Sequence, residues 1–303
     1  MTMHQKITEL INIAGKIILG KEHQLRLAMC CILARGHLLI EDIPGVGKTT
    51  LAHTLAVLLG LKFQRIQFTS DLLPADILGA SVFDAKNHSF SFHAGPIFNQ
   101  MILADEINRS TPKAQSALLE AMEEHQVTVD TTTYALPEPF IVIATQNPNY
   151  QIGTFPLPES QLDRFLMRIE LGYPDNQAER ALLTGQDRHQ LIGSLPNCLP
   201  PQDLLSAQSK VAKMHTSEAL LDYLQAILNF TRNAPEYQFG LSPRAGLALL
   251  NAARAWAYLD NRDAVIPEDI QRVLAAVTDH RLRTVDTDSE LMFKPLVEKV
   301  PIP

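Results

Sequence analysis

The chain has 303 residues, 46% of them hydrophobic, with a net charge of −7 and a pI near 5.8. That length accommodates two domains, each with its own core. The acidic balance argues against a dedicated duplex binder, whose affinity rests on clustered Lys and Arg. Three cysteines, Cys30, Cys31 and Cys198, make a poor disulfide framework and are expected as small buried hydrophobes in a reducing compartment. No Cys/His spacing suggests a zinc site. Lys6, Glu9 and Asn12 interrupt the early apolar residues, so no signal peptide is expected. No apolar run approaches the roughly 18 residues a membrane helix needs. A cytoplasmic protein is the expectation.

In chain order, residues 5–34 predict two amphipathic helices on either side of a 17–22 connection. Residues 37–50, HLLIEDIPGVGKTT, read as a buried strand, a glycine turn and a helix start. Leu51, Leu55, Leu58 and Leu59 give that helix one apolar face, and Gly60 stands at its C-cap. Gly45 and Gly47 permit a tight turn whose N–H groups approach an anion, and the helix N-terminus adds positive potential at the same point. Lys48 is suited to neutralise β- and γ-phosphates, and the Thr49 hydroxyl to ligate Mg²⁺. The general phosphate-loop pattern has Gly six residues before the Lys, where this chain has Asp42.

Residues 63–68 alternate apolar and polar, as a second strand would. Residues 81–83 and 90–92 are expected to pair as a hairpin around 84–88. A short apolar strand, 101–104, ends in Asp105-Glu106, and Thr111-Pro112 opens a helix with Ala114, Leu118, Ala121 and Met122 on one face. The β-branched, Thr-rich stretch 127–134 suggests a second hairpin. Residues 140–145 and 166–171 complete five strands. Strands alternating with helices predict a parallel sheet covered on both faces. After Gly172 the character changes, with helices expected over 217–232, 244–259 and from Pro267 onward and no convincing strand. The expected domains are an α/β core over 1–175 (inserts near 81–93 and 126–136), a linker over 176–200 and a helical domain over 201–303.

Five further positions can carry chemistry. Asp105 at a strand end can hold Mg²⁺, and its neighbour Glu106 can polarise an attacking water. Asn147 either closes a simple Asn-Pro turn or points its amide at a γ-phosphate. Arg164 is either a surface ion pair or a cation that meets transition-state charge. Arg244, at a helix N-terminus where a cation is electrostatically out of place, either extends into solvent or binds an anion.

With these residues in hand the chain resembles the AAA+ ATPases, and within them the MoxR family. The resemblance runs through EDIPGVGKT (41–49), TSDLLP (69–74), GPIF (95–98), ADEINR (104–109), LLEAMEE (118–124), ATQNP (144–148), QLDRF (161–165) and LSPR (241–244). It implies a three-layer P-loop NTPase core with a small all-α lid, binding ATP or ADP with Mg²⁺. Asp42 is what MoxR-like sequences tend to have. The nucleotide loop would comprise Pro44, Gly45, Val46, Gly47, Lys48, Thr49 and Thr50. Asp105 and Glu106 resemble Walker B, Asn147 sensor 1 and Arg244 sensor 2. Leu19 and Gly20 resemble the segment that touches adenine, and Arg164 resembles the finger inserted into a neighbouring subunit, with Arg109 and Arg168 as alternatives. The two hairpins resemble inserts that face the ring axis or a partner. A hexameric ring acting as a chaperone is implied, with a von Willebrand factor A domain protein as partner and maturation or metal insertion as the task. A slow nucleotide-gated scaffold, a nucleic-acid motor and a metal chelatase subunit are the competing readings.

Overall fold

The structure, a computed structural model, describes residues 1–85, 88–147, 154–185, 188–284 and 292–302. Its centre is a sheet of β1 (Leu38–Glu41), β2 (Phe63–Gln67), β3 (Met101–Asp105), β4 (Ile141–Gln146) and β5 (Met167–Ile169) in the order β2-β3-β4-β1-β5. All neighbours are parallel, with Leu38 beside both Ile143 and Met167, and Leu103 beside Ile143. The apolar runs predicted by the sequence are explained by burial on both faces. Leu38, Ile40, Leu103, Ile143 and Met167 face one core, while Leu39, Ile102, Ala104, Val142 and Ala144 face the other.

Helices α1 (Met3–Ile17), α2 (Glu22–Leu33) and α3 (Lys48–Leu58) contribute to the first core, and α4 (Pro112–Glu124) to the second. Thr111 caps α4, accepting from the Ala114 N–H, with Pro112 in the first turn where no N–H is needed. The predicted helix face of Ala114, Leu118, Ala121 and Met122 is buried. Of the two N-terminal helices, α1 shows the expected amphipathic pattern and α2 does not. α2 is buried from Leu27 through Leu33, because a helical domain covers the side that the sheet does not. Cys30 and Cys31 lie there as free thiols, and burial raises the pKa of both.

That domain contains α5 (Pro201–Ala212), α6 (Glu218–Asn233), α7 (Pro243–Leu259) and α8 (Pro267–Thr278). Pro201 occupies the first turn of α5, where no N–H is needed. The domain also has an antiparallel pair, Tyr237–Phe239 with Arg283–Thr284, where no strand was expected. Two or three residues are too short to show a period of two. The stretch expected as a linker carries helices Asn176–Thr184 and Arg188–Gly193. Gln208 Nε2 donates to Ile32 O at 2.8 Å, Cys30 Sγ donates to Ala252 O at 3.2 Å, and Arg26 lies 5.0 Å from the Trp256 ring centroid. Buried Arg281 donates to the carbonyls of Phe165 (2.6 Å) and Leu166 (3.1 Å). The lid is thereby tied to both α2 and β5.

Both hairpins form, Gly79–Asp84 with Ser89–Ala94 and Gln126–Val129 with Thr132–Ala135. Part of the first turn, residues 86–87, lies outside the described residues, as does Pro148 of the ATQNP motif. Phe92 stacks on Tyr134 at 4.1 Å and 17°, which joins the two inserts. Among the described residues, no helix is long and apolar enough to cross a membrane.

Asp279 comes directly after α8, where a carboxylate opposes the helix dipole, and its Oδ1 is buried without a hydrogen-bond partner. Burial pushes its pKa up from 3.8 to about 6, with Arg168 opposing and Glu170 adding to the rise. A carboxyl raised by folding costs nothing below its unfolded pKa. The cost grows as pH climbs from about 3.8 to about 6 and is constant above that. Asp279→Asn is therefore expected to stabilise the fold at pH 8 by roughly 1–3 kcal/mol, and to do little at pH 4. Urea unfolding at the two pH values measures the difference.

Candidate nucleotide-binding and hydrolysis site

Parallel strands bring the segments after β1, β3 and β4 to one edge of the sheet, where open α/β folds bind ligands. After β1 the chain turns through Gly45 (φ +87°) and Gly47 (φ +94°) into α3. A Cβ at either glycine would meet nothing within 4 Å. Left-handed backbone, rather than crowding, therefore calls for glycine here. Asp42 has a structural part that the sequence left unexplained. It is buried, and its Oδ2 accepts the Leu171 and Gly172 N–H groups at 2.6 Å each, while Oδ1 accepts that of Ile43 at 2.8 Å. One carboxylate thus fastens the phosphate loop to the chain leaving β5.

Lys48 is buried, and Nζ donates to Ile43 O (3.1 Å), to Asn147 Oδ1 (3.2 Å) and to Asp42 O. Burial lowers its pKa, and the carboxylates of Asp42, Asp105, Glu106 and Glu41 oppose that shift. Asn147 Nδ2 in turn donates to Glu106 Oε1 at 3.2 Å. Loop lysine, strand-end amide and glutamate therefore form one hydrogen-bonded chain. Glu106 sits at φ +57°, unusual for a residue with a Cβ, and its N–H is held by Thr145 Oγ1 at 2.9 Å.

Sequence reasoning missed the partners of the two acids. Asp105 Oδ1 accepts from Thr145 Oγ1 at 2.6 Å, and Oδ2 accepts from Arg65 Nε (3.0 Å) and Nη2 (2.6 Å). Gln67 Nε2 (3.1 Å) and Arg109 Nη1 (2.8 Å) both donate to Glu106 Oε2. Arg65 and Gln67 share a face of β2, two residues apart, and Gln67 is in register with Asp105. The alternation of β2 was visible in the sequence, but which strand lies beside it was not.

A cavity of about 430 Å³ adjoins the loop. Leu19, Pro44, Gly45, Val46, Gly47 and Thr50 line it, together with Tyr173 and with Leu182 and Leu183 from the helix Asn176–Thr184. Gly20 (φ +67°) lies behind this wall, where an added Cβ would come 3.3 Å from Asp175 Oδ2. Thr49 comes after Lys48 in the first turn of α3. A buried carboxylate and a hydroxyl are hard oxygen donors of the kind Mg²⁺ takes alongside substrate phosphates, so Asp105 and Thr49 fit that ion.

Arg164 and Arg244 lie elsewhere. They share a second cavity, of about 290 Å³, with His37, which precedes β1, and Glu123, at the C-terminal end of α4. The phosphate loop leaves the other end of β1, on the order of 13 Å away for four residues of strand. Arg164 Nη1 pairs with Glu123 Oε2 at 2.7 Å and Arg244 Nη2 with Glu123 Oε1 at 2.6 Å. Of the alternatives, Arg109 pairs with Glu106 and Arg168 with Glu41 (2.8 Å) and Glu170 (3.4 Å).

This fold and site define an ATPase with a lid. The family model described as "ATPase family associated with various cellular activities (AAA)" matches residues 37–167, and the AAA lid domain model matches 229–298. The chain is 39% identical to Chaperone MoxR1 of Mycobacterium tuberculosis over 88% of its length and 73% of that protein's. It is 44% identical to the uncharacterised protein YeaC of Bacillus subtilis, over 92% of this chain and 88% of the relative. A crystal structure of a candidate ATPase from Cytophaga hutchinsonii superimposes with a TM-score of 0.88 at 37% identity, covering 99% of this chain and 96% of that one. The chain belongs to the MoxR family of AAA+ ATPases, and it is an ATP-hydrolysing enzyme.

Removing Asp42 leaves three backbone N–H groups without their acceptor. A buried group left unpaired costs about 1–3 kcal/mol. Asp42→Ala is therefore expected to lower the unfolding free energy by roughly 2 kcal/mol or more. Asp42→Gly, which restores the general phosphate-loop pattern, is expected to be as damaging. Urea unfolding reads both, and an unchanged midpoint would remove the structural part assigned to this carboxylate.

Proposed function

We propose that this chain works as a ring of identical subunits, of hexameric type, which couples ATP hydrolysis to the remodelling of a protein client. The observation that carries the reading is the placement of Arg164 and Arg244. Both sit at the far end of β1 from their own phosphate loop, so a second copy of the chain is the natural recipient of their charge. In this reading the loop N–H groups and Lys48 bind the β- and γ-phosphates, and the base enters the cavity walled by Leu19 and Tyr173. Glu106 orients and polarises the attacking water, and Asn147 holds Glu106 relative to Lys48. Mg²⁺, held by Thr49 and Asp105, would supply neutralisation of phosphate charge. Arg164, with Arg244 beside it, meets the charge that develops on the neighbouring subunit's nucleotide.

The client is a protein or complex. A partner carrying a von Willebrand factor A domain, and a task in maturation or metal insertion, are implied by the family resemblance. The name of one relative, Chaperone MoxR1, supports a chaperone role. One observation favours slow turnover in the free subunit. Asp105 is engaged by Arg65, and Glu106 by Gln67 and Arg109, so both acids must exchange partners before they act on nucleotide.

The test is ATP turnover per subunit against protein concentration, with nucleotide affinity measured in parallel. Turnover is expected to rise with concentration. Glu106→Gln should abolish it while ATP binding persists. Arg164→Ala should lower it by about 10³-fold or more, the scale of fingers supplied in trans, also with binding retained, whereas Arg168→Ala should do far less. Turnover that is flat with concentration and indifferent to Glu106→Gln would overturn the reading.

A further inference from the structure

Arg164 and Arg244 are two full positive charges on one patch of the subunit, 80 residues apart in the chain. Arg164 comes from the turn after the short helix Glu159–Leu162, and Arg244 from the first turn of α7 in the lid. What joins them is a single carboxylate. Glu123 receives Arg164 on one oxygen, at 2.7 Å, and Arg244 on the other, at 2.6 Å. Asp163, the other acid in this cavity, lies 4.0 Å from Arg244 Nε and is engaged by Arg281 at 2.6 Å. Among the described residues, Glu123 is thus the carboxylate in close contact with both cations.

Glu123 is carried on a rigid element. It lies in the last turn of α4, whose Leu118, Leu119, Ala121 and Met122 are buried against the sheet. Arg164 Nη1 also donates to Leu119 O at 2.7 Å, on the same helix. Each guanidinium has five N–H donors, and the fork occupies a small share of them. The side chains of Arg164, Glu123 and Arg244 keep 29%, 35% and 51% of their exposure on a cavity of about 290 Å³. Ion pairs this exposed contribute little to stability, so a purely stabilising part for the cluster is a weak account of it. A carboxylate between two like charges has a second effect. It cancels part of their repulsion and sets the spacing between them. That spacing matters most when a subunit docks, excludes water and strengthens each charge contact.

We infer that Glu123 is a positioning residue for ATP hydrolysis in the adjacent subunit. It holds Arg164 and Arg244 as a two-cation unit that meets the phosphates of nucleotide bound by a second copy of this chain. The inference rests on the ring reading proposed above, and its test separates the two. Glu123→Gln keeps the size of the side chain but removes its charge and sets an NH2 donor against one of the two arginines, which are received on different oxygens. Misplacement of a catalytic group by about 1 Å can cost about 100-fold. Turnover of Glu123→Gln is therefore expected to fall by about 10- to 100-fold, with nucleotide affinity of the subunit unchanged.

The deciding measurement is subunit mixing. Glu123→Gln subunits keep an intact nucleotide site, and Glu106→Gln subunits keep an intact arginine face. Mixed in equal amounts, they should turn over ATP several-fold faster than the mean of the two separate assemblies. Arg164→Ala mixed with Glu106→Gln is the reference pair. Recovery in both mixtures supports the inference. Recovery with Arg164→Ala but not with Glu123→Gln would place the effect of Glu123 inside its own subunit and overturn the inference, leaving the ring reading intact. Recovery in neither would remove the reading in which the arginines act in trans, and the inference with it. Wild-type turnover in Glu123→Gln alone would also overturn the inference.

Discussion

Parallel pairing of β1, β3 and β4 is the constraint on which the site depends. Parallel strands in one register all end at the same edge, so the residues just past their C-terminal ends must meet there. The phosphate loop comes after β1, Glu106 after β3 and Asn147 after β4. Lys48, Asn147 and Glu106 then link by hydrogen bonds of 3.2 Å at each step through the Asn147 amide. An antiparallel neighbour would have carried one of these groups to the opposite edge. The two buried faces of the sheet keep the register from slipping, because a shift of one residue would exchange the two cores.

The buried charges around the phosphate loop are each met by fixed hydrogen-bond partners, unlike that of Asp279. Asp42 accepts three N–H groups, Asp105 accepts a hydroxyl and a guanidinium, and Lys48 donates to two carbonyls and an amide. A buried ion left without such partners would be expensive. Under the proposed function, the groups assigned to catalysis are already oriented before nucleotide arrives, and binding exchanges partners rather than creates order. The loop is fastened through Asp42 to Leu171 and Gly172, in the segment that leads toward the lid.

The lid is not a loose appendage. α2 is a helix shared by two packing partners, the sheet on one side and α5 and α7 on the other, and Gln208 and Cys30 reach across that boundary. This packing carries Arg244 to the Glu123 end of the sheet. A residue at the start of a lid helix can serve its own site or a neighbour's, and the packing of α7 decides which is within reach.

Much of this was legible in the chain itself. Local steric and electrostatic rules made the phosphate loop visible through Gly45, Gly47 and Lys48, α4 through Thr111-Pro112, and the acid pair through its apolar strand. These signals are carried by residues close in sequence, where period and turn chemistry act directly. The 3-residue strand Tyr237–Phe239 was too short to leave a period. The helix Asn176–Thr184, with Leu182 and Leu183 on the cavity beside the phosphate loop, was hidden in a stretch read as linker. Partners distant in sequence were decided only by the tertiary structure: Asp42 with Leu171 and Gly172, Arg65 with Asp105, Gln67 with Glu106, and Glu123 between Arg164 and Arg244. Each of those contacts depends on which strand lies beside which, and on how the lid packs. Long-range packing sets both, and no short pattern in the chain encodes them.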